Sequence, residues 1–168
     1  YLGSDSVEPF LEQVETHGKG LFVLVRTSNP SGAEIQNLPS GGRPVYLHVA
    51  ELVGKWGQRS IGERGFSSVG AVVGATCPEE ATMIREALPD SIFLVPGYGA
   101  QGATVDDLRG AFRADGLGAV VNSSRGIIFA YRRAPYDEFG EKRWQEAVEA
   151  ALKAMREDLS AIYPGGKR

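Results

Sequence analysis

The chain has 168 residues, 42% hydrophobic and 23% charged, with a formal net charge of −3. That is enough to bury one core and short for two domains, and the proportions exclude a disordered or membrane-embedded chain. The mild acidity, with no block of Lys or Arg, argues against a nucleic-acid partner, and no apolar run approaches the ~20 residues of a membrane span. Val7, Phe10, Leu11 and Val14 recur at helical spacing, which predicts a helix over 5–16 capped by Asp5 or Ser6 and ended by Gly18 and Gly20. Leu21 to Val25 reads as a strand buried on both faces, running into the polar turn from Arg26 to Gly32. Residues 43–57 carry Tyr46, Val49, Ala50, Val53 and Trp56 on one helical face, with His48 on the polar side. The chain has only two histidines, so no metal site is expected. A polar loop spans Gln58 to Ser67, and Val69 to Ala75 predicts the next strand. Thr76-Cys77-Pro78-Glu79 has capping-box spacing and an early proline, and Ala81, Ile84, Ala87 and Leu88 form the buried face of the helix it starts. Cys77 is the single cysteine, so no internal disulfide forms and a reducing, cytoplasmic setting is expected. No histidine stands near it in sequence to activate the thiol.

Ile92 to Pro96 is a third strand, and a turn holding Gly97, Gly99 and Gly102 with one polar side chain, Gln101, follows at once. A helix is expected over 104–113, with Thr104 as N-cap and Asp106 and Asp107 in its first turn. Glycines there let backbone N–H groups approach an anion, although the same glycines suit an ordinary tight turn between strand and helix. Ala119 to Val121 repeats the pattern as a fourth strand, running into Asn122-Ser123-Ser124-Arg125-Gly126. Arg125 offers a planar fork of donors suited to phosphate. The last helix, expected over 139–162, carries Trp144, Val148, Leu152, Met155, Leu159 and Ile162 as core packing, with Pro164, Gly165 and Gly166 ending it.

Strand and helix alternate, which means parallel strands joined by right-handed crossovers. Four strands cannot close a barrel, and an open sheet leaves hydrophobic edges. A four-strand flavodoxin-like sheet is one solution. Two anion-suited turns after the last two strands favour another: roughly strands 5–8 and their helices of a (β/α)8 TIM barrel, 1–168 forming a single domain that is the C-terminal half.

Three separated loops carry a resemblance. Ser28-Asn29-Pro30, Pro96-Gly97-Tyr98-Gly99-Ala100-Gln101-Gly102 and Ser124-Arg125-Gly126-Ile127 resemble the C-terminal half of orotidine 5′-monophosphate decarboxylases. The opening Tyr1-Leu2-Gly3-Ser4-Asp5 and Val69 to Thr76 are similar to the bacterial branch with longer loops. The resemblance implies that Ser28 and Gln101 contact the pyrimidine. It implies that Gln101, Arg125 and groups at Gly99, Ser124 and Gly126 bind phosphate. It also implies a metal-free, cofactor-free lyase of pyrimidine biosynthesis that converts orotidine 5′-monophosphate (OMP) to uridine 5′-monophosphate (UMP) as a homodimer.

One departure is large. The family's chemistry rests on an Asp-x-Lys-x-x-Asp array, and this chain's lysines, Lys19, Lys55, Lys142, Lys153 and Lys167, form no such motif. The expectation is therefore that the parent protein is the decarboxylase, and that this chain carries recognition loops, holds no catalytic residue and is inactive alone. The alternative is a non-catalytic α/β module that binds a phosphorylated ligand.

Overall fold

A computed structural model of the chain describes residues 3–99 and 102–162. Helix α1 (Ser4–His17) leads to strand β1 (Leu21–Arg26), a 3₁₀ turn (Pro30–Gly32), the short helix α2 (Ala33–Gln36) and a small hairpin of β2 (Pro39–Ser40) and β3 (Arg43–Pro44). Helix α3 (Val45–Gly57), β4 (Ser67–Val73), α4 (Pro78–Ala87) and β5 (Ser91–Pro96) continue the alternation. A 3₁₀ stretch (Asp106–Ala111) precedes β6 (Ala119–Asn122), and the short α5 (Ser124–Ile128) and further 3₁₀ turns lead to α6 (Trp144–Leu159).

Strands β1, β4, β5 and β6 form one parallel sheet in that order, with Val23 beside Ala71, Ala71 beside Phe93, and Phe93 beside Ala119. Each crossover advances one strand in the same direction. Right-handed crossovers that never reverse keep the connecting elements on one face, which is how a barrel is wound; a flavodoxin-type sheet needs a reversal. Among the described residues none occurs, so the flavodoxin-like alternative is set aside.

The two faces of the sheet differ. Val23, Val25, Val69, Val73, Phe93 and Val95 are buried against Tyr46, Ala50 and Val53 of α3, and Ile84 and Leu88 of α4 and its end. On the opposite face Phe22, Leu24 and Val120 are 44%, 52% and 52% exposed. Strands whose sequence suits burial on both faces thus have one face open, as expected of an arc of barrel wall seen without the remaining wall. Among the described residues, no helix is long and apolar enough to cross a membrane.

Several local expectations need correction. Neither Asp5 nor Ser6 caps α1: Gly3 stands at that position, and the Ser6 hydroxyl donates back to Gly3 O at 2.8 Å. Thr76 does not cap α4; Cys77 holds that place without a side-chain cap, because the Thr76 hydroxyl donates to Ser28 O at 3.2 Å. Thr104 is held by Asp107, whose carboxylate accepts from its amide and hydroxyl at 2.7 and 2.8 Å, and the helix expected there is only a 3₁₀ stretch. A reason lies at Gly110, where a β-carbon would sit 2.2 Å from Thr82 Oγ1, so the segment is pressed flat against α4. Helix α6 starts at Trp144 rather than 139, since Gly140, at φ 61° and ψ −179°, breaks helical backbone. Its buried face is Ala147, Ala151 and Met155, while Trp144 and Leu152 are exposed. The turn from Pro164 to Gly166 lies outside the described residues.

The N-terminal ends of the strands are tied by one side chain. Arg85, near the end of α4, donates to Leu88 O, Ser91 O, Ala111 O and Gly118 O at 2.7–2.8 Å, and its guanidinium lies 3.6 Å from the Phe93 ring centroid. Burial pushes its pKa down to about 10, so it stays cationic at neutral pH. Removing the fork orphans carbonyls at the entry to β5 and β6. Arg85→Ala in the full-length protein is expected to cost about 3 kcal/mol in urea unfolding, and Arg85→Lys about half of that, because an ammonium cannot reach all four carbonyls. An alanine variant within about 0.5 kcal/mol of the parent would show that the carbonyls are satisfied without it.

Candidate functional site

The C-terminal ends of the strands gather the polar loops. Strand β1 ends on a register irregularity between Leu24 and Arg26, which turns Val25 and Arg26 both inward and launches the loop carrying Ser28. That loop lies directly on the end of β4. A β-carbon at Gly74 would sit 2.7 Å from Ser28 N and 2.8 Å from its Cα, so only glycine leaves room for the serine's backbone. Thr76 then holds the Ser28 carbonyl from the other side.

Two strands away, the glycine turn after β5 is bound to the turn after β6. Gly97, Gly99 and Gly102 have φ values of 105°, 67° and 88°, the left-handed backbone that glycine adopts without strain. The buried Ser123 hydroxyl donates to Tyr98 O at 2.9 Å and so joins the two loops. Gly126 makes room for it, since a β-carbon there would fall 2.5 Å from Ser123 Oγ. The Tyr98 hydroxyl in turn donates to Asp158 of α6 at 2.7 Å.

Ser28 and Arg125 line one cleft of about 550 Å³, together with Arg26, Asn29, Thr76 and Cys77. Arg125 is exposed and makes no ion pair with another described residue. In α5 the first backbone bond of the turn is from Ile127 N to Ser123 O, so the amides of Ser124 and Gly126 precede it at the helix start. The Gly99 N–H donates to Ala103 O at 3.0 Å and closes the turn. Gln101 lies outside the described residues. No His, Cys, Asp or Glu trio converges as a metal site among the described residues. The loop-holding roles of Ser123, Tyr98, Gly74 and Thr76 are not among the expectations from sequence. Only Gly74, a glycine ending a β-branched strand, left a signal of close backbone approach.

Burial and the bond to Asp158 push the Tyr98 phenol up to about 12 from 10.0. The folded protein therefore keeps a proton that the unfolded chain loses, and this contribution to stability, full below pH 10, fades as pH rises toward 12. Tyr98→Phe in the full-length protein is expected to flatten the decline of stability with pH in that window. Equal slopes for both proteins would show that Tyr98 titrates normally.

The chain matches the family model described as orotidine 5′-phosphate decarboxylase / HUMPS family over residues 1–135. It is 50% identical over 160 residues to the orotidine 5′-phosphate decarboxylase of Rhodopirellula baltica, covering 95% of this chain and 53% of that protein. With that of Caldicellulosiruptor bescii it shares 48% identity over 158 residues, 90% of this chain and 52% of the other. Among solved structures it is similar to Leishmania donovani OMP decarboxylase, with TM-score 0.73, 35% identity, and coverage of 96% of this chain and 54% of that one. It is also similar to Leishmania donovani UMP synthase, with TM-score 0.67, 36% identity, and coverage of 96% and 31%. The chain thus spans about half the length of the curated relatives it matches. A parallel sheet wound in one direction, with its polar loops gathered at the strands' C-terminal ends, is the architecture of these TIM-barrel neighbours, and the chain belongs to the orotidine 5′-phosphate decarboxylase / HUMPS family.

Proposed function

We propose that this chain is the C-terminal half of a barrel that decarboxylates OMP to UMP in pyrimidine biosynthesis, and that it supplies the substrate-recognition loops. The observation that carries the reading is the shared cleft of Ser28 and Arg125 at the C-terminal ends of β1 and β6. The hydroxyl of Ser28 both donates and accepts, as the imide edge of a pyrimidine requires. Arg125, assisted by amides at Ser124 and Gly126, binds the phosphate, and Gln101 links phosphate to base. Binding energy at the phosphate lowers the barrier at the distant ring carbon. Protonation of that carbon as carbon dioxide leaves falls to a lysine, and carboxylates near it act by electrostatics. Those groups belong to the other half of the barrel. The reaction needs no cofactor, and the parent works as a cytoplasmic homodimer. The names of the curated relatives support a decarboxylase over a non-catalytic binding module.

The test is Ser28→Ala in the full-length protein. Leaving the imide edge unpaired is expected to lower kcat/KM by about 1–3 kcal/mol, tenfold or more at the middle of that range. A value within twofold of the parent rejects the pyrimidine assignment.

A further inference from the structure

The loop that presents Ser28 is held by a side chain with no place in the scheme above. Gln36, at the end of α2, is half-buried, and its Oε1 accepts from Arg26 Nη1 at 3.0 Å, from the Thr27 amide at 3.1 Å and from the Thr27 hydroxyl at 3.3 Å. Its Nε2 donates to Thr27 Oγ1 at 3.0 Å. The guanidinium and the backbone N–H can only donate, so the carboxamide oxygen must face them, which fixes the amide's orientation. Arg26 is 6% exposed, donates also to Thr27 O at 3.1 Å, and pairs with Glu80 of α4 at 3.4 Å. Gly32 closes the ring of contacts: a β-carbon there would stand 2.5 Å from Thr27 Oγ1 and 3.1 Å from Gln36 Oε1. Helix α2 thus grips Thr27, the residue immediately before Ser28, and α4 braces Arg26 beside it, while the hydrogen bonds and ion pair of this network are made without Arg125.

We propose that Gln36, acting through Thr27 and braced by Arg26 and Glu80, is a positioning residue that aims Ser28 at the base end of the cleft. The inference rests on the reading of Ser28 as the pyrimidine contact. It predicts a fault confined to the base. With Gln36→Leu the Thr27 amide and hydroxyl lose their acceptor, and the Ser28 hydroxyl wanders while the phosphate end is untouched. With Gln36→Glu a carboxylate oxygen still accepts from Arg26 and Thr27, so the aim is kept.

The experiment measures binding of UMP and of ribose 5-phosphate, which lacks the base, to the full-length protein. Ser28→Ala and Gln36→Leu are each expected to weaken UMP about tenfold and to leave ribose 5-phosphate within twofold. The double variant should bind UMP no more weakly than Ser28→Ala alone, because a mispositioned hydroxyl that is absent cannot be lost again. Gln36→Glu should stay within twofold of the parent for both ligands. Thr27→Val, which keeps shape and removes the hydroxyl, should reproduce part of the UMP loss, and it serves if Gln36→Leu does not fold. Additive losses in the double variant, or equal weakening of both ligands by Gln36→Leu, would overturn the positioning role while leaving Ser28 in place. A silent Ser28→Ala would overturn the reading of Ser28 and the inference with it.

Discussion

Residues 1–168 expressed alone will not decarboxylate OMP, whereas the full-length protein will turn it over in the same absorbance assay. On the proposed mechanism the developing carbanion meets an ammonium group at the mouth of the barrel, and no lysine among the described residues stands there. Lys19 stands just before β1, at the opposite end of the sheet from Ser28. Lys55 and Lys153 lie within α3 and α6, Lys142 lies in a 3₁₀ turn, and Lys167 is outside the described residues. Recognition without a proton donor binds the ligand and stops. The same chain should also self-associate, because Phe22, Leu24 and Val120 on the sheet's open face are each more than 40% exposed. Light scattering beside the activity assay covers both expectations. Turnover near the full-length rate by a monodisperse chain would mean that the proton comes from a group on these residues after all.

Arg125→Ala in the full-length protein should lower kcat/KM for OMP by about 10²–10⁴-fold. A guanidinium makes two charge-assisted bonds to phosphate, at about 1.5–3 kcal/mol each, and the other guanidinium lining the cleft, Arg26, is engaged by Thr27, Gln36 and Glu80. Arg125→Lys keeps the charge but not the fork, and should recover only part of the loss. Orotidine without its phosphate supplies the control: its much slower decarboxylation should be indifferent to either change. Equal sensitivity of orotidine and OMP would place Arg125 somewhere other than at the phosphate.

The sequence was most legible where one physical signal decided the outcome. β-branched runs marked the four sheet strands, and the stripes of α3 and α4 marked their buried faces, because burial sets those periods directly. It was less legible where two elements compete for one group. Thr76 looks like a helix cap, but the Ser28 carbonyl takes its hydroxyl, and only the tertiary fold brings that carbonyl near. Ser123 reads as a loop serine until Tyr98 O is placed beside it, and along α6 the expected Met155, Leu159 and Ile162 pack inward while Ala147 and Ala151 are buried in place of Trp144 and Leu152. Of the site residues, Ser28 and Arg125 were chosen by motif and lie on one cleft. The side chains that hold their loops in place were not foreseen, since their partners lie in other elements.

Gly74 has a consequence for how this site can change. Its missing β-carbon is the gap into which the Ser28 backbone fits, so the depth at which the serine sits is fixed by main-chain thickness rather than by any adjustable side chain. Residues 28 and 74 therefore form a single unit of variation. A new ligand preference can be sought by exchanging the side chain at 28, but any residue added at 74 must first reroute the segment from Arg26 to Ser28. Such rerouting would strain the Gln36 grip at the same moment, so a gradual path through position 74 is closed.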